Sequence, residues 1–147
     1  MFPHAIWSCG ESSKNLNSFY FPYTNPIREL SHDYVSIGDT SLKISISLLN
    51  DAYYADYRSN LDFNELNKTV TFQADIYSNY DCRLCIYIYT GSYTSSYTTI
   101  PVNVQGTYSV TKTIPENTTQ IIYRVEPRVY SHDDAFVYMD NWQLIIQ

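Results

Sequence analysis

Apolar and polar residues alternate almost one for one along most of this chain, the pattern of β-strands that bury a single face. "SLKISISLLN" places Leu42, Ile44, Ile46 and Leu48 on one side and Lys43, Ser45 and Ser47 on the other. "TVTFQADIYS" sends Val70, Phe72, Ala74 and Ile76 inward and Thr71, Gln73, Asp75 and Tyr77 outward. "CRLCIYIYT" sets Leu84, Ile86 and Ile88 against Arg83, Cys85, Tyr87 and Tyr89. "TQIIYRVEP" sets Ile121, Tyr123 and Val125 against Ile122, Arg124 and Glu126, and "TYSVTKTI" follows the same rule. Turn formers separate the runs at 37–41, 78–81, 90–96, 104–106, 115–119 and 131–134. Only "LDFNELNK" at 61–68 offers a turn of helix. The spacing predicts about eight to ten strands and an all-β fold, an antiparallel β-sandwich of the jelly-roll kind.

The last run, "VYMDNWQLII", carries an acid and an amide at its centre. At an unbroken period of two, Phe136, Tyr138, Asp140, Trp142, Leu144 and Ile146 share the core face. Val137, Met139, Asn141, Gln143 and Ile145 share the other. Trp142 is then a core residue rather than an exposed platform. A carboxylate on the core face is expensive to desolvate. Asp140 therefore needs a bound cation, backbone donors or a place at the open edge of the sheet.

Composition narrows the function classes. A chain of 147 residues, 44% of them hydrophobic, fits one domain with a real core; it is expected to be one module of a larger protein. Only 16% of residues are charged while tyrosine alone fills 16 positions, so Ser, Thr, Asn and Tyr must form much of the surface. Such a surface suits neutral, polar ligands or adhesion. Net charge is −6 and the Lys and Arg residues are scattered singly. No basic stripe is present to neutralise phosphates, which argues against nucleic acid and against an anionic membrane surface. No run approaches the roughly 18 apolar residues of a membrane-spanning helix. "MFPHAIWSCG" lacks the basic start and long apolar stretch of a signal peptide. Of the three cysteines, Cys82 and Cys85 form a C-x-x-C inside a strand-like run. Residues three apart on a strand point to opposite faces, which disfavours a disulfide or a shared zinc ion between them. Two Asn-x-Thr triplets, at Asn67 and Asn117, fall in predicted turns.

The order of the pieces carries a resemblance. "IGDTSLKISI", "AYYADYR", "VTFQADIYS", "YSVTKTIPENTTQIIYRVE" and "VYMDNWQLI" follow one another as in the carbohydrate-binding modules of the jelly-roll, galactose-binding-domain-like type. That family has a Gly-x-x-Ser-Leu-Lys strand, matched here by Gly38, Ser41, Leu42 and Lys43. It has a Tyr/Thr-x-Phe-Ser strand, matched by Phe72 with Gln73 where Ser is usual, and it ends on a strand like Tyr138 to Leu144. The resemblance covers residues 30–147; the usual N-terminal Asn-Gly-x-Phe-Glu is missing from residues 1–30. It implies one sheet of strands near 52–58, 83–90, 107–113 and 120–127, and another containing 41–49, 69–77 and 136–146. It also implies a structural Ca²⁺ at the edge of the sandwich. Asp140 is the leading ligand, with Asp39 and Glu11 behind it. Calcium takes six to eight oxygens, many of them backbone carbonyls, so a sequence exposes only part of such a site.

Sugars present apolar C–H faces fringed by hydroxyls, and proteins bind them with flat aromatics beneath and planar hydrogen-bonding groups at the rim. The outward residues of the first sheet meet that requirement: Arg83, Tyr87 and Tyr89 on one strand and Arg124 and Glu126 on another. Tyr53 and Tyr57, or else Tyr54 and Asp56, project from a third. The loop "TGSYTSSYTT" walls the groove with Tyr93 and Tyr97. Each tyrosine also has an ordinary role in strand packing.

Catalysis is the weaker expectation. "SHD" occurs at 31–33 and 131–133, but adjacent residues cannot form a triad whose members converge from separate elements. A glycosidase needs two carboxylates at a set separation, and Glu126 with Asp56 or Asp75 are the candidates. The sequence thus points first to non-catalytic binding of a polysaccharide or glycan by a surface, secreted or virion protein. A structural or adhesive jelly-roll domain of a surface or phage tail protein, without a sugar site, ranks second, and a small glycan-active enzyme third.

Overall fold

Among the described residues ten strands follow one another: β1 (His4–Cys9), β2 (Ile27–Ser31), β3 (Ser41–Ile46), β4 (Ala55–Arg58), β5 (Thr69–Ser78), β6 (Cys82–Tyr89), β7 (Tyr93–Ile100), β8 (Gly106–Thr113), β9 (Gln120–Pro127) and β10 (Ala135–Ile146). The computed structural model describes residues 4–9, 27–35, 41–46, 55–58, 65–128 and 135–147, and among these it is an all-strand sandwich of two antiparallel sheets. Sheet A runs β2-β3-β10-β5-β8, with β1 also paired to β10. Sheet B runs β4-β9-β6-β7. The expected jelly-roll sandwich is therefore the fold found.

Alternation does the work in the central strands. β5 alternates half-buried and buried residues without a break, with Val70, Phe72, Ala74 and Ile76 inside. β6 sends Leu84, Ile86 and Ile88 inward, and β9 sends Ile121, Tyr123 and Val125 to meet them. Phe72 of one sheet meets Tyr123 of the other edge-on, with ring centroids 5.6 Å apart. Burying each such side chain contributes about 1.5–3 kcal/mol. Tyr123 keeps its hydroxyl satisfied inside the core by donating to Glu65 Oε1 at 3.2 Å. Glu65 itself is fully buried, a polar insertion that no periodicity announced.

Two sheet assignments differ from expectation. The strand near 107–113, β8, pairs with β5 in sheet A, over Thr69↔Thr113 to Ile76↔Gly106. Its place in sheet B is taken by β7, which lies in the stretch expected to be a loop. Ser, Thr and Gly at 90–96 read as turn formers, yet only residues 90–92 turn. Gly91 (φ 104°) supplies the left-handed step, and the hairpin closes on Tyr89↔Tyr93.

The acid–amide pair of the last strand marks a β-bulge. β10 pairs with β5 through Asp140↔Asp75 and resumes at Gln143↔Gln73, so Asn141 and Trp142 together oppose Ala74 alone. Asn141 adopts φ 47°, a left-handed conformation that Asn tolerates better than most residues. The extra residue inverts the alternation. Val137 and Met139 face the core before the bulge, and Trp142, Leu144 and Ile146 face it after. Phe136, Tyr138 and Asp140 thus leave the core face on which an unbroken period of two placed them; Trp142, Leu144 and Ile146 stay on it. Asp140 opposes Asp75 on the outer side of sheet A and accepts the Asn141 N–H on Oδ1 at 2.8 Å. One backbone donor thus reaches its carboxylate from the bulge itself.

Replacing Asn141 by Gly should leave stability nearly unchanged, whereas Asn141→Val should cost about 1–3 kcal/mol, because a β-branched residue is strained at positive φ. Chemical denaturation of the two variants reads the difference. Equal stabilities would remove the left-handed bulge as the reason for the amide.

Candidate functional site

Directly opposed residues of an antiparallel pair share a face, so the registers of sheet B define its outer surface as a grid. One row holds Gln120, Tyr89 and Tyr93; the next Ile122, Tyr87 and Ser95; then Arg124, Cys85 and Tyr97; then Glu126, Arg83 and Thr99. β4 extends two rows, with position 58 against Ile122 and position 56 against Arg124. Of the expected ligand residues, Arg83, Tyr87, Tyr89, Tyr93, Arg124 and Glu126 come together on this face. Tyr57 does not join them by register: it opposes Tyr123, which lies in the core, and the row shared with Arg124 belongs to Asp56. That register selects the other alternation weighed for β4. Tyr53 lies outside the described residues.

Glu126 is the hub of the face. Arg83 Nη2 donates to its Oε2 at 2.5 Å, and Tyr87 Oη lies 3.0 Å and 3.1 Å from its two oxygens. Cys85 Sγ donates to Oε2 at 3.7 Å, and Arg124 Nη1 stands 4.0 Å from Oε1. Each guanidinium also lies over a ring: Arg83 Cζ is 4.7 Å from the Tyr97 centroid and Arg124 Cζ 4.8 Å from that of Tyr87. Such contacts contribute about 0.5–2 kcal/mol each, more as they lose water. The network is half-buried, with Glu126 at 12% side-chain exposure, so its carboxylate serves the protein's own donors first. What projects is aromatic. Tyr93 and Tyr97 are 57% and 55% exposed, the most open of the large apolar residues described. Tyr93 donates to Gln120 Oε1 at 2.6 Å, and its ring tilts against Tyr89 at 4.8 Å.

Cys85 forms the floor. It is 1% exposed although it lies on the outer side of the sheet, and Ile122 beside it is 4% exposed. Burial, and then the charge of Glu126, push its thiol up to about 12. Burial likewise raises Tyr87 to about 12, so it stays a hydroxyl donor to Glu126. Cys82 sits in the core with its thiol also at about 12 through burial, and the two cysteines do point to opposite faces.

The other candidates lie apart. Asp75 belongs to the outer face of sheet A, with both sheets between it and Glu126, so these two cannot act as a catalytic pair. His32 and Asp33 are exposed, and the Asp33 N–H donates to Ser31 Oγ at 3.1 Å in a tight turn. Residues 131–134 lie outside the described residues, as does Asp39. Among the described residues no three His, Cys, Asp or Glu side chains gather as a metal would require. Donors that reach Asp140 and Asp75 include the Asn141 N–H, the Asn141 amide at 3.4 Å and the Thr107 hydroxyl.

One group escaped the sequence reading. On the outer face of sheet A, Tyr34 stacks on Tyr77 at 3.9 Å and 9°, with Tyr138 and Phe136 beside them and Lys43 Nζ 5.3 Å from the Phe136 ring. Phe136 and Tyr138 come here through the bulge. Tyr34 closes the group over Tyr77 and is 38% exposed.

The sequence matches no family model and no curated protein. Solved structures do share the fold. The CBM22-1 xylan-binding domain from Paenibacillus barcinonensis superposes with a TM-score of 0.72 at 9% identity, covering 98% of this chain and 95% of that one. The C-terminal family 22 carbohydrate binding module of a Clostridium thermocellum protein gives 0.66 at 16% identity, covering 97% and 92%. The enzymatically active domain of bacteriophage CBA120 tailspike protein 4 gives 0.71 at 13% identity, covering 95% of this chain and 21% of that one. The architecture is that of carbohydrate-binding-module sandwiches.

Two outcomes test the hub. Glu126→Gln should lower stability by about 1.5–3 kcal/mol, the worth of hydrogen bonds to a charged group, read by urea unfolding. The raised thiols predict a pH effect of definite sign. The folded state holds the Cys85 proton up to about 12 while the unfolded thiol releases it near 9.0. Its stabilisation is therefore complete below pH 9.0 and is lost as pH climbs towards 12. A Cys85→Ala variant should show a shallower alkaline decline in unfolding midpoint than the parent; identical slopes would mean the thiol is not buried as described.

Proposed function

We propose that this chain is a non-catalytic carbohydrate-binding domain whose sugar site is the outer face of sheet B. The observation that carries the reading is the pair Tyr93 and Tyr97. Both are exposed on a rigid sheet, one pinned by Gln120 and the other backed by the Arg83 guanidinium. Flat rings held in this way can take the apolar face of a pyranose without ordering a loop. Arg124, Tyr87 and Gln120 lie in the adjoining rows as planar or hydroxyl partners for a sugar's rim. The likeness to a domain named as xylan-binding supports a polysaccharide as the ligand class.

Binding here is an equilibrium hold rather than chemistry. Its use is to tether a larger surface, secreted or virion-borne protein to a glycan, with modest affinity per domain and avidity from repetition. A second reading has one observation in its favour, because the same fold occurs within a phage tailspike domain. In that reading the sandwich is a structural or adhesive unit with no sugar site.

Isothermal titration against a panel of plant and microbial polysaccharides, xylan among them, separates the two. The proposal expects saturable binding to at least one glycan. Tyr97→Ala should weaken it tenfold or more, about 1.4 kcal/mol, while the melting temperature falls only slightly, by the lost contact with Arg83. A folded domain that binds no glycan in the panel leaves the structural reading in place.

A further inference from the structure

Sheets with open edges invite further strands, and proteins normally blunt such edges with charge, proline, bulges or brevity. Among the described strands, four edges obey that rule. β2 carries Arg28 and Glu29, β4 is four residues long and carries Asp56 and Arg58, β8 carries Lys112, and β1 shifts register between Ala5 and Trp7. β7, the other edge of sheet B, has none of these protections. It is eight residues long, "YTSSYTTI", without charge or proline. Its ladder to β6 runs through eight consecutive pairs with no register shift. Its inward side chains bond to β8 of the opposite sheet, Thr98 Oγ1 to the Ser109 carbonyl at 2.6 Å and Lys112 Nζ to Ser96 Oγ at 3.5 Å, while Tyr93 on the outer face donates to Gln120 of β9. Among the described residues no strand pairs with its far edge.

The strand is also self-complementary. Tyr93-Thr94-Ser95-Ser96-Tyr97 reads the same from either end but for one Thr/Ser exchange. An antiparallel two-fold pairing centred on Ser95 sets Tyr93 against Tyr97 of the second copy, and does so twice. Thr94 then meets Ser96, and Ser95 meets itself. Such a closed, isologous contact is the commonest route to a dimer, and cross-strand aromatic pairs are among the better sheet contacts. The neutrality of the strip matters as well, since each copy carries a net charge of −6.

We infer that β7 pairs with β7 of a second copy of this chain, forming a weak two-fold dimer with one continuous eight-stranded sheet from two four-stranded ones. Five paired residues a side place the contact below about 1,200 Å², in the weak and transient class. The two-fold axis stands perpendicular to the joined sheet, so the two outer faces look the same way. If those faces bind glycan as proposed above, a single polysaccharide can span both; the dimer itself does not depend on that reading.

Sedimentation velocity from micromolar to millimolar protein tests the inference. The expected result is a reversible monomer–dimer equilibrium that Ser95→Lys shifts at least tenfold toward monomer, because two lysines would then face each other across the axis. Ser95 is exposed, so the variant should melt with the parent. Amide exchange on the unaltered protein provides an independent reading, since β7 amides should gain protection as concentration rises. A monomer at every concentration, open-ended aggregates, a dimer indifferent to Ser95→Lys, or β7 amides whose protection ignores concentration would each overturn it.

Discussion

One carboxylate organises the face on which this account rests. Glu126 receives a guanidinium, a phenol and a thiol, and holds a second guanidinium near by. Each partner is thereby fixed in turn: Arg83 beneath Tyr97, Arg124 over Tyr87, Cys85 as floor. Without that acceptor two half-buried guanidiniums would crowd one strand pair with less compensation, a costly arrangement in a poorly solvated place. The face is consequently preorganised, with its rings already held in position. Glu126 was expected as a sugar contact; within the fold its carboxylate is engaged by Arg83, Tyr87 and Cys85.

A different constraint sets the opposite sheet. β10 is its central strand, bordered by β5 along one side and by β3 and then β1 along the other. A single extra residue in that strand exchanges inside for outside halfway along, and Asn141 bears the backbone cost. Trp142, Leu144 and Ile146 can then fill one end of the core while Val137 and Met139 fill the other. The displaced Phe136 and Tyr138 join Tyr34 and Tyr77 outside.

The legible part of this structure was the part governed by period two. β5, β6 and β9 alternate cleanly, and their inner residues and the outer Arg83, Tyr87, Tyr89, Arg124 and Glu126 could be read directly from the sequence. β7 was not legible because an edge strand buries little. Only Ile100 of its eight residues is buried, so no apolar face marks it and its Ser and Thr resemble a loop. The partner of β8 was hidden because alternation says which face is buried and nothing about which neighbour forms the ladder. The bulge was hidden because Phe136 and Val137, or Tyr138 and Met139, satisfy a core equally well. Only the Asp-Asn pair signalled that the alternation would break. The face of Tyr57 was open for a related reason, since a strand of only four residues, Ala55–Arg58, is too short to fix its alternation.

Two aromatic surfaces therefore lie back to back: Tyr89, Tyr93 and Tyr97 on sheet B, and Tyr34, Tyr77 and Tyr138 on sheet A. The first is the proposed sugar face. Nuclear magnetic resonance of the tyrosine rings during titration with a soluble xylan oligosaccharide, or with another glycan found to bind, distinguishes them directly. Progressive shifts confined to Tyr93, Tyr97 and their neighbours Tyr87 and Tyr89 are the predicted result. Shifts centred on Tyr34 and Tyr77, with the sheet B rings unmoved, would contradict it.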